Sequence, residues 1–270
     1  MEKMISMAPI AIQDLVKCYD DVTAVNGLSF CIESGSVTAL LGGNGAGKTT
    51  TIAMLLGLVL PTSGDVRVFG ADMVQDRYRV LHRMNFQSPY INIPMRLTVR
   101  QNLQTFANLY GVANPAERIA ELADQLRLQQ LLDRLAGELS AGQKTRAALA
   151  KALINAPELL LLDEPTASLD PDTADWVRSQ LIDYRKQRGA TIVLASHNMS
   201  EVERMADRVL IMEKGRIVQD ESPGELLRRF GRENLEEVFL DIVRGRPRAA
   251  APIAPPPRHE ADSGSVSDAV

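Results

Sequence analysis

Hydrophobic and polar positions alternate loosely over 10–16 and again over 24–32, with turn residues at Asp20-Asp21 and Glu33-Ser34-Gly35, a pattern that predicts short strands. Positions 37–41 form an almost unbroken apolar run, as a strand buried on both faces requires. A glycine-rich stretch follows, then a helical pattern over 49–60 that Pro61 stops, and 64–70 predicts another strand. In the middle of the chain, 98–110 and 115–135 carry Leu, Ile and Phe at helical spacing with charges between them. Beyond that, helix 140–155, strand 159–162, helix 173–187, strand 191–195, helix 199–206 and strand 208–212 alternate, and 233–242 reads as a last short helix. Such alternation implies βαβ units and a mostly parallel sheet. Past Arg244 the chain is rich in Pro, Ala and Ser and poor in large apolar side chains, so 243–270 is expected to be a disordered tail.

Composition narrows the class. The chain has 270 residues, 45% apolar and 24% charged, an ordinary globular mixture that excludes wholesale disorder, collagen and coiled coil. Its 30 basic and 34 acidic residues leave a net charge of −4, which argues against a dedicated nucleic-acid binder. Two cysteines, Cys18 and Cys31, exclude a disulfide framework and an all-cysteine zinc site, and they suit a reducing compartment. The apolar runs are strand-length, far short of the about 18 residues of a spanning helix, so a membrane role is expected to be peripheral.

The chemistry begins at Gly42-Gly43-Asn44-Gly45-Ala46-Gly47-Lys48-Thr49, which satisfies G-x-x-x-x-G-K-S/T between a buried strand and a helix. Glycines let successive backbone N–H groups curl inward around anionic oxygens, and the helix N-terminus adds its own positive end. Lys48 supplies a full charge, the Thr49 hydroxyl can ligate Mg2+, and Thr50 is placed to assist at the α-phosphate. The site is that of a nucleoside triphosphate. A second constellation, Leu159-Leu160-Leu161-Leu162-Asp163-Glu164, is an apolar strand ending in two carboxylates. Asp163 is placed to hold Mg2+ through its water shell, and Glu164 to orient or deprotonate a water attacking the γ-phosphate. Leu139-Ser140-Ala141-Gly142-Gln143 precedes an Ala- and Leu-rich helix that Ser140 would cap.

With these motifs in place, residues 8–242 resemble the ATP-binding subunit of an ABC transporter, whose LSGGQ signature reads LSAGQ here. The resemblance implies an α/β fold: a P-loop NTPase core with a mostly parallel sheet, an antiparallel β subdomain at the N-terminal side and a helical arm subdomain. It implies one ATP-binding domain over 1–242 with the arm at about 74–135. Asp163-Glu164 then stands as the Walker B pair, Ala167-Ser168-Leu169-Asp170 as the D-loop, and His197 as the switch histidine. Tyr19 stands where the family stacks an aromatic on adenine, and a strand aromatic packed on its neighbours is the less favoured alternative. Gln87 is the candidate for the family's glutamine near Mg2+ and water. It lies two residues from the usual position, so either the loop is shifted or the role is altered.

The family further implies a head-to-tail sandwich of two copies. ATP then lies between Gly42, Asn44, Gly45, Ala46, Gly47, Lys48, Thr49 and Thr50 of one copy and Ser140, Gly142 and Gln143 of the other, with Asp170 nearby. A polytopic permease would dock on the arm, with Tyr90, Ile91 and Ile93 as exposed candidates. The place of work is the cytoplasmic face of the inner membrane, peripheral through that permease. The ending Glu233-Asn234-Leu235-Glu236-Glu237-Val238-Phe239 resembles ATPases of bacterial exporters of drugs and nodulation factors, which favours export. The alternative is a soluble ABC-type ATPase acting on the ribosome or nucleic acid. Against it stand a single phosphate loop, the near-balanced charge and a 87–140 segment too short for a long coiled coil.

Overall fold

In the computed structural model, which describes residues 8–88, 93–167 and 169–245, the N-terminal alternation becomes an antiparallel sheet. Strands β1 (Ile10–Tyr19) and β2 (Val22–Ile32) form one long hairpin, and β1 also pairs with β4 (Ser63–Val68), which pairs with β5 (Ala71–Asp72). The sheet order is β2-β1-β4-β5. The second sheet runs β10-β9-β3-β8-β7-β6. It comprises β3 (Val37–Leu41), β6 (Met84–Gln87), β7 (Leu159–Asp163), β8 (Thr191–Ser196), β9 (Arg208–Glu213) and β10 (Arg216–Glu221). Its members are parallel except β10, which returns along β9 as a hairpin. The expected α/β class with a mostly parallel sheet is what the chain adopts.

Every residue of β3, β7 and β8 is buried, so both faces of the central sheet are covered. The alternation of a strand sends its side chains to two different cores. Leu159 and Leu161 pack with Ile10, Ile32 and Ile52, under the antiparallel sheet and helix α1 (Lys48–Leu55). Leu160 and Leu162 pack on the other side with Leu103, Leu122, Ala150 and Leu181. These come from helices α2 (Val99–Leu109), α3 (Pro115–Gln125), α4 (Ala141–Leu153) and α5 (Pro171–Arg188). Each fully buried Leu contributes about 1.5–3 kcal/mol. A third cluster sets α6 (Met199–Met205), α7 (Pro223–Phe230) and α8 (Leu235–Val243) against Ala39, Leu41 and Val209.

Several local expectations change. The helix expected over 49–60 ends at Leu55, and Gly57, in the left-handed region, turns the chain four residues before Pro61. The helix expected over 115–135 ends at Gln125 and continues only as a short 3-10 turn, Gln129–Leu131. Within 74–135, Met84–Gln87 is a strand pairing with β7 rather than part of a helical region. Strand β10 and helix α7 were not expected at all. Ile93 is 6% exposed and belongs to the core beneath the arm, so it offers no docking surface. Tyr90, Ile91, Ser168 and residues 246–270 lie outside the described residues. Among the described residues no helix is long and apolar enough to cross a membrane.

Candidate functional site

The site grows from the C-terminal edge of the central sheet, where β3, β7 and β8 all end. After β3 the chain turns through Gly42–Gly47 and enters α1. Gly47 has φ 102° and no room for a side chain, because a Cβ there would lie 2.5 Å from the carbonyl oxygen of Ala24 in β2. The turn between β9 and β10 closes the loop from behind. Gly215 N–H donates to Ala46 O at 3.1 Å while Gly215 O accepts from Asn26 N–H at 2.9 Å. Gly215 also presses on the same Ala24 carbonyl, 2.8 Å from where its Cβ would sit, at φ 75°. Only glycine suits both places.

Lys48 is nearly buried, and its Nζ donates to Gly42 O at 2.7 Å and Gly43 O at 3.2 Å, folded back over the loop it follows. Burial pushes its ammonium below the ordinary lysine range, and the carboxylates of Glu164 and Asp163 push it back up. Thr49 Oγ1 donates to Asp163 Oδ2 at 3.2 Å. Burial raises the Asp163 carboxyl, opposed by the Thr49 hydrogen bond. Glu164 follows at φ 52°, with its N–H donating to Ala195 O at 2.8 Å, so the end of β7 is tied to β8. Its Oε1 lies 2.6 Å from Nδ1 of His197, whose side chain is 64% exposed.

These groups open onto one cleft of about 620 Å³, lined by Gly43–Thr50, Asp163, Glu164, Ala167 and His197, with Val22, Thr23 and Ala24 as an outer wall. That volume suits a nucleotide. The hydroxyl of Thr49 and the carboxylate of Asp163 are hard oxygen donors side by side, the set that Mg2+ accepts while keeping water and phosphate oxygens for the rest of its shell. Among the described residues no cluster of three or more His, Cys, Asp or Glu could hold a metal unaided.

The remaining expected residues lie outside this cleft. Tyr19 ends β1, 44% exposed, with Lys17 Nζ 4.8 Å from its ring centre. Gln87 ends β6, 8% exposed, with its buried Oε1 lacking a hydrogen-bond partner. Ser140 caps α4 in a reciprocal box: its Oγ accepts from Gln143 N–H at 3.3 Å while Gln143 Oε1 accepts from Ser140 N–H at 3.0 Å. Asp170 caps α5 by accepting from Thr173 N–H at 3.0 Å, bonds that hold its carboxyl below the usual range. Ala167 of the expected D-loop lines the cleft, whereas the wall formed by Val22–Ala24 belongs to no motif and is not legible in the sequence. Nor does Glu201, a buried acid that meets Thr166 and Ser196, carry a motif at its own position.

Comparison with known proteins places this geometry in context. A family model described as ABC transporter matches residues 25–167. The chain is 39% identical over 242 residues to a Nod factor export ATP-binding protein I of Burkholderia orbicola (strain AU 1054), covering 88% of this chain and 76% of that one. It is 37% identical over 228 residues to the bacitracin transport ATP-binding protein BcrA of Bacillus licheniformis, covering 84% and 74%. Among solved structures, an ATP-binding subunit of an ABC transporter superposes with TM-score 0.79 at 25% identity, over 87% of this chain and 99% of that one. A dimeric ATP-binding cassette in a post-hydrolysis state with ADP and Pi superposes with TM-score 0.71 at 21% identity, over 79% and 98%, a likeness of fold.

Proposed function

Since the chain belongs to the ABC transporter family, whose ATP-binding subunits hydrolyse ATP, we propose that it energises an exporter. On this reading it pairs with a second copy of itself and with a separate polytopic permease, at the cytoplasmic face of the cell membrane. Export is supported by the relatives that carry Nod factor export and bacitracin transport in their names. The observation that carries the reading is the convergence of Lys48, Thr49, Asp163, Glu164 and His197, from three separate strand ends, on one cleft.

The mechanism follows from where each group can act. The inward N–H groups of 43–49 receive the phosphates, and Lys48, released from the Gly42 and Gly43 carbonyls, turns its ammonium to the β- and γ-oxygens. Thr49 and Asp163 would hold Mg2+, which neutralises charge on the phosphate oxygens. Glu164 orients the attacking water, and His197, hydrogen-bonded to it, fixes that carboxylate toward the γ-phosphate. Ser140 and Gly142 lie outside the cleft of their own copy, at the exposed start of α4, where they can meet the γ-phosphate held by a second copy. The Ser140 hydroxyl accepts within its cap, which leaves its O–H free to donate to a phosphate. Tyr19 and Gln87 do not line the cleft.

The test is purification of the tagged chain from detergent-solubilised native membranes. A stoichiometric polytopic protein is the expected companion. Ribosomal or nucleic-acid-processing proteins, with no membrane companion, would overturn the transporter reading in favour of a soluble ABC-type ATPase.

A further inference from the structure

Glu201 is an acid in the wrong place for an ordinary surface helix. It sits on α6, 1% exposed, in a chain stretch Asn198-Met199-Ser200-Glu201 that reads as a helix cap with its acid at the third position. Asn198 does cap the helix, accepting from Glu201 N–H at 3.2 Å. The Glu201 side chain, however, does not reach back to the cap and turns inward instead. Its Oε1 accepts from Thr166 Oγ1 at 2.8 Å and its Oε2 from Ser196 Oγ at 2.7 Å, both buried. A buried carboxyl is costly unless each oxygen is satisfied, and packing alone would favour an apolar side chain here. Burial pushes this carboxyl up, while the two hydroxyls and, more weakly, Arg178 oppose that.

The two hydroxyls belong to the two segments that carry the hydrolytic pair. Thr166 lies two residues beyond Glu164, and Ser196 immediately precedes His197. Ser196 Oγ also accepts from Asn198 N–H at 3.0 Å, so both neighbours of His197 are fastened through one oxygen. On the other side, Glu164 N–H is bonded to Ala195 O. Beyond the β7–β8 ladder and the Glu164–His197 contact, the segments are thus also joined through the Glu201 carboxylate. His197 needs such a frame, being 64% exposed at its side chain and hydrogen-bonded to Glu164.

We infer that Glu201 is a positioning residue for ATP hydrolysis: through Thr166 and Ser196 it holds the segments of Glu164 and His197 in register. The inference rests on the reading of the cleft as the hydrolytic site. Glu201 touches no nucleotide, so its loss acts on turnover rather than on ATP capture.

Steady-state ATP hydrolysis by the full chain, with its Mg2+, tests this across Glu201→Gln, Thr166→Val and Thr166→Ser, with melting temperature measured on each. Glu201→Gln keeps the shape but offers an N–H2 where one hydroxyl must donate, and Thr166→Val removes a hydroxyl at nearly constant volume. Both are expected to lower kcat by about tenfold to a hundredfold, as misplaced groups do, with KM for ATP within about twofold. Thr166→Ser, which keeps the hydroxyl, is expected to restore kcat to within about threefold of the parent. In a His197→Ala background, Glu201→Gln should add a smaller loss than in the parent, because part of its effect passes through that histidine. Equal losses in Thr166→Val and Thr166→Ser that track the melting temperature would overturn the inference, as would losses that multiply with His197→Ala. An active parent with unimpaired Glu201→Gln sinks this inference alone. A parent without hydrolysis sinks the reading of the cleft as well.

Discussion

At the scale of single residues, Lys48 shows how a functional group can be a structural burden. Its ammonium is desolvated and satisfied by two loop carbonyls. Lys48→Ala is expected to lower kcat/KM for ATP by at least about a hundredfold, with the melting temperature of the nucleotide-free chain unchanged or raised. Unchanged hydrolysis would remove the site assignment. The phosphate loop, the carboxylate pair and His197 were legible in the sequence because their chemistry is written in adjacent residues, glycine spacing and an apolar strand that ends in acids. Glu201 was not, since its meaning depends on Thr166 and Ser196 arriving from two other segments. Gln87 was legible only as a candidate: it ends a strand in the central sheet, 8% exposed, apart from the cleft.

Elements differ in how much of their cause is local. The buried strands β3, β7 and β8 were plain because both faces are covered and their side chains are almost all apolar. Strand β6 was hidden because its buried positions include Asn85 and Gln87, polar residues that break the apolar run. Strand β10, at the sheet edge, alternates between exposed and half-buried and is short and charged, a weak signal of its own. Helix α7 carried a signal that was passed over: Ser222-Pro223 followed by Glu225, a reciprocal cap that the structure shows bonded. Helix α3 is tied to α4 by a buried cation in addition to the shared apolar core. Arg118 on α3 donates to Leu153 O at 2.6 Å and Ile154 O at 3.2 Å, closing the end of α4, and pairs with Glu121. Arg118→Met leaves both carbonyls without that donor, and the expected cost is about 2 kcal/mol, read by urea denaturation. KM for ATP should stay near the parent value. A variant as stable as the parent would show that the arm is held by its apolar contacts alone.

For the whole molecule, one copy presents a cleft and, apart from it, a capped, exposed helix start, and Ser140 and Gly142 do not line the cleft of their own chain. Two copies arranged head to tail would complete each site with the other's helix. Glu164→Gln, which keeps the side-chain shape and removes the charge, is expected to hold ATP without turnover. It should run as a dimer in millimolar ATP and as a monomer without it, by light scattering after gel filtration. A persistent monomer would count against the paired arrangement. The α/β architecture with a mostly parallel sheet was readable from the order of strands and helices. The joining of the two sheets was not, because the turn at Gly215 meets β2 and the phosphate loop from far along the chain. That turn has a consequence for ligand capture. Held by Gly215 from behind and by Ala24 from the side, the loop has its curvature set by contacts within the fold itself. The conformational entropy of that loop is lost once, during folding, and not again at each catalytic cycle. A subunit that must release and rebind nucleotide at every turnover thereby keeps a constant receptor shape, and its motions are left to the parts that the nucleotide joins.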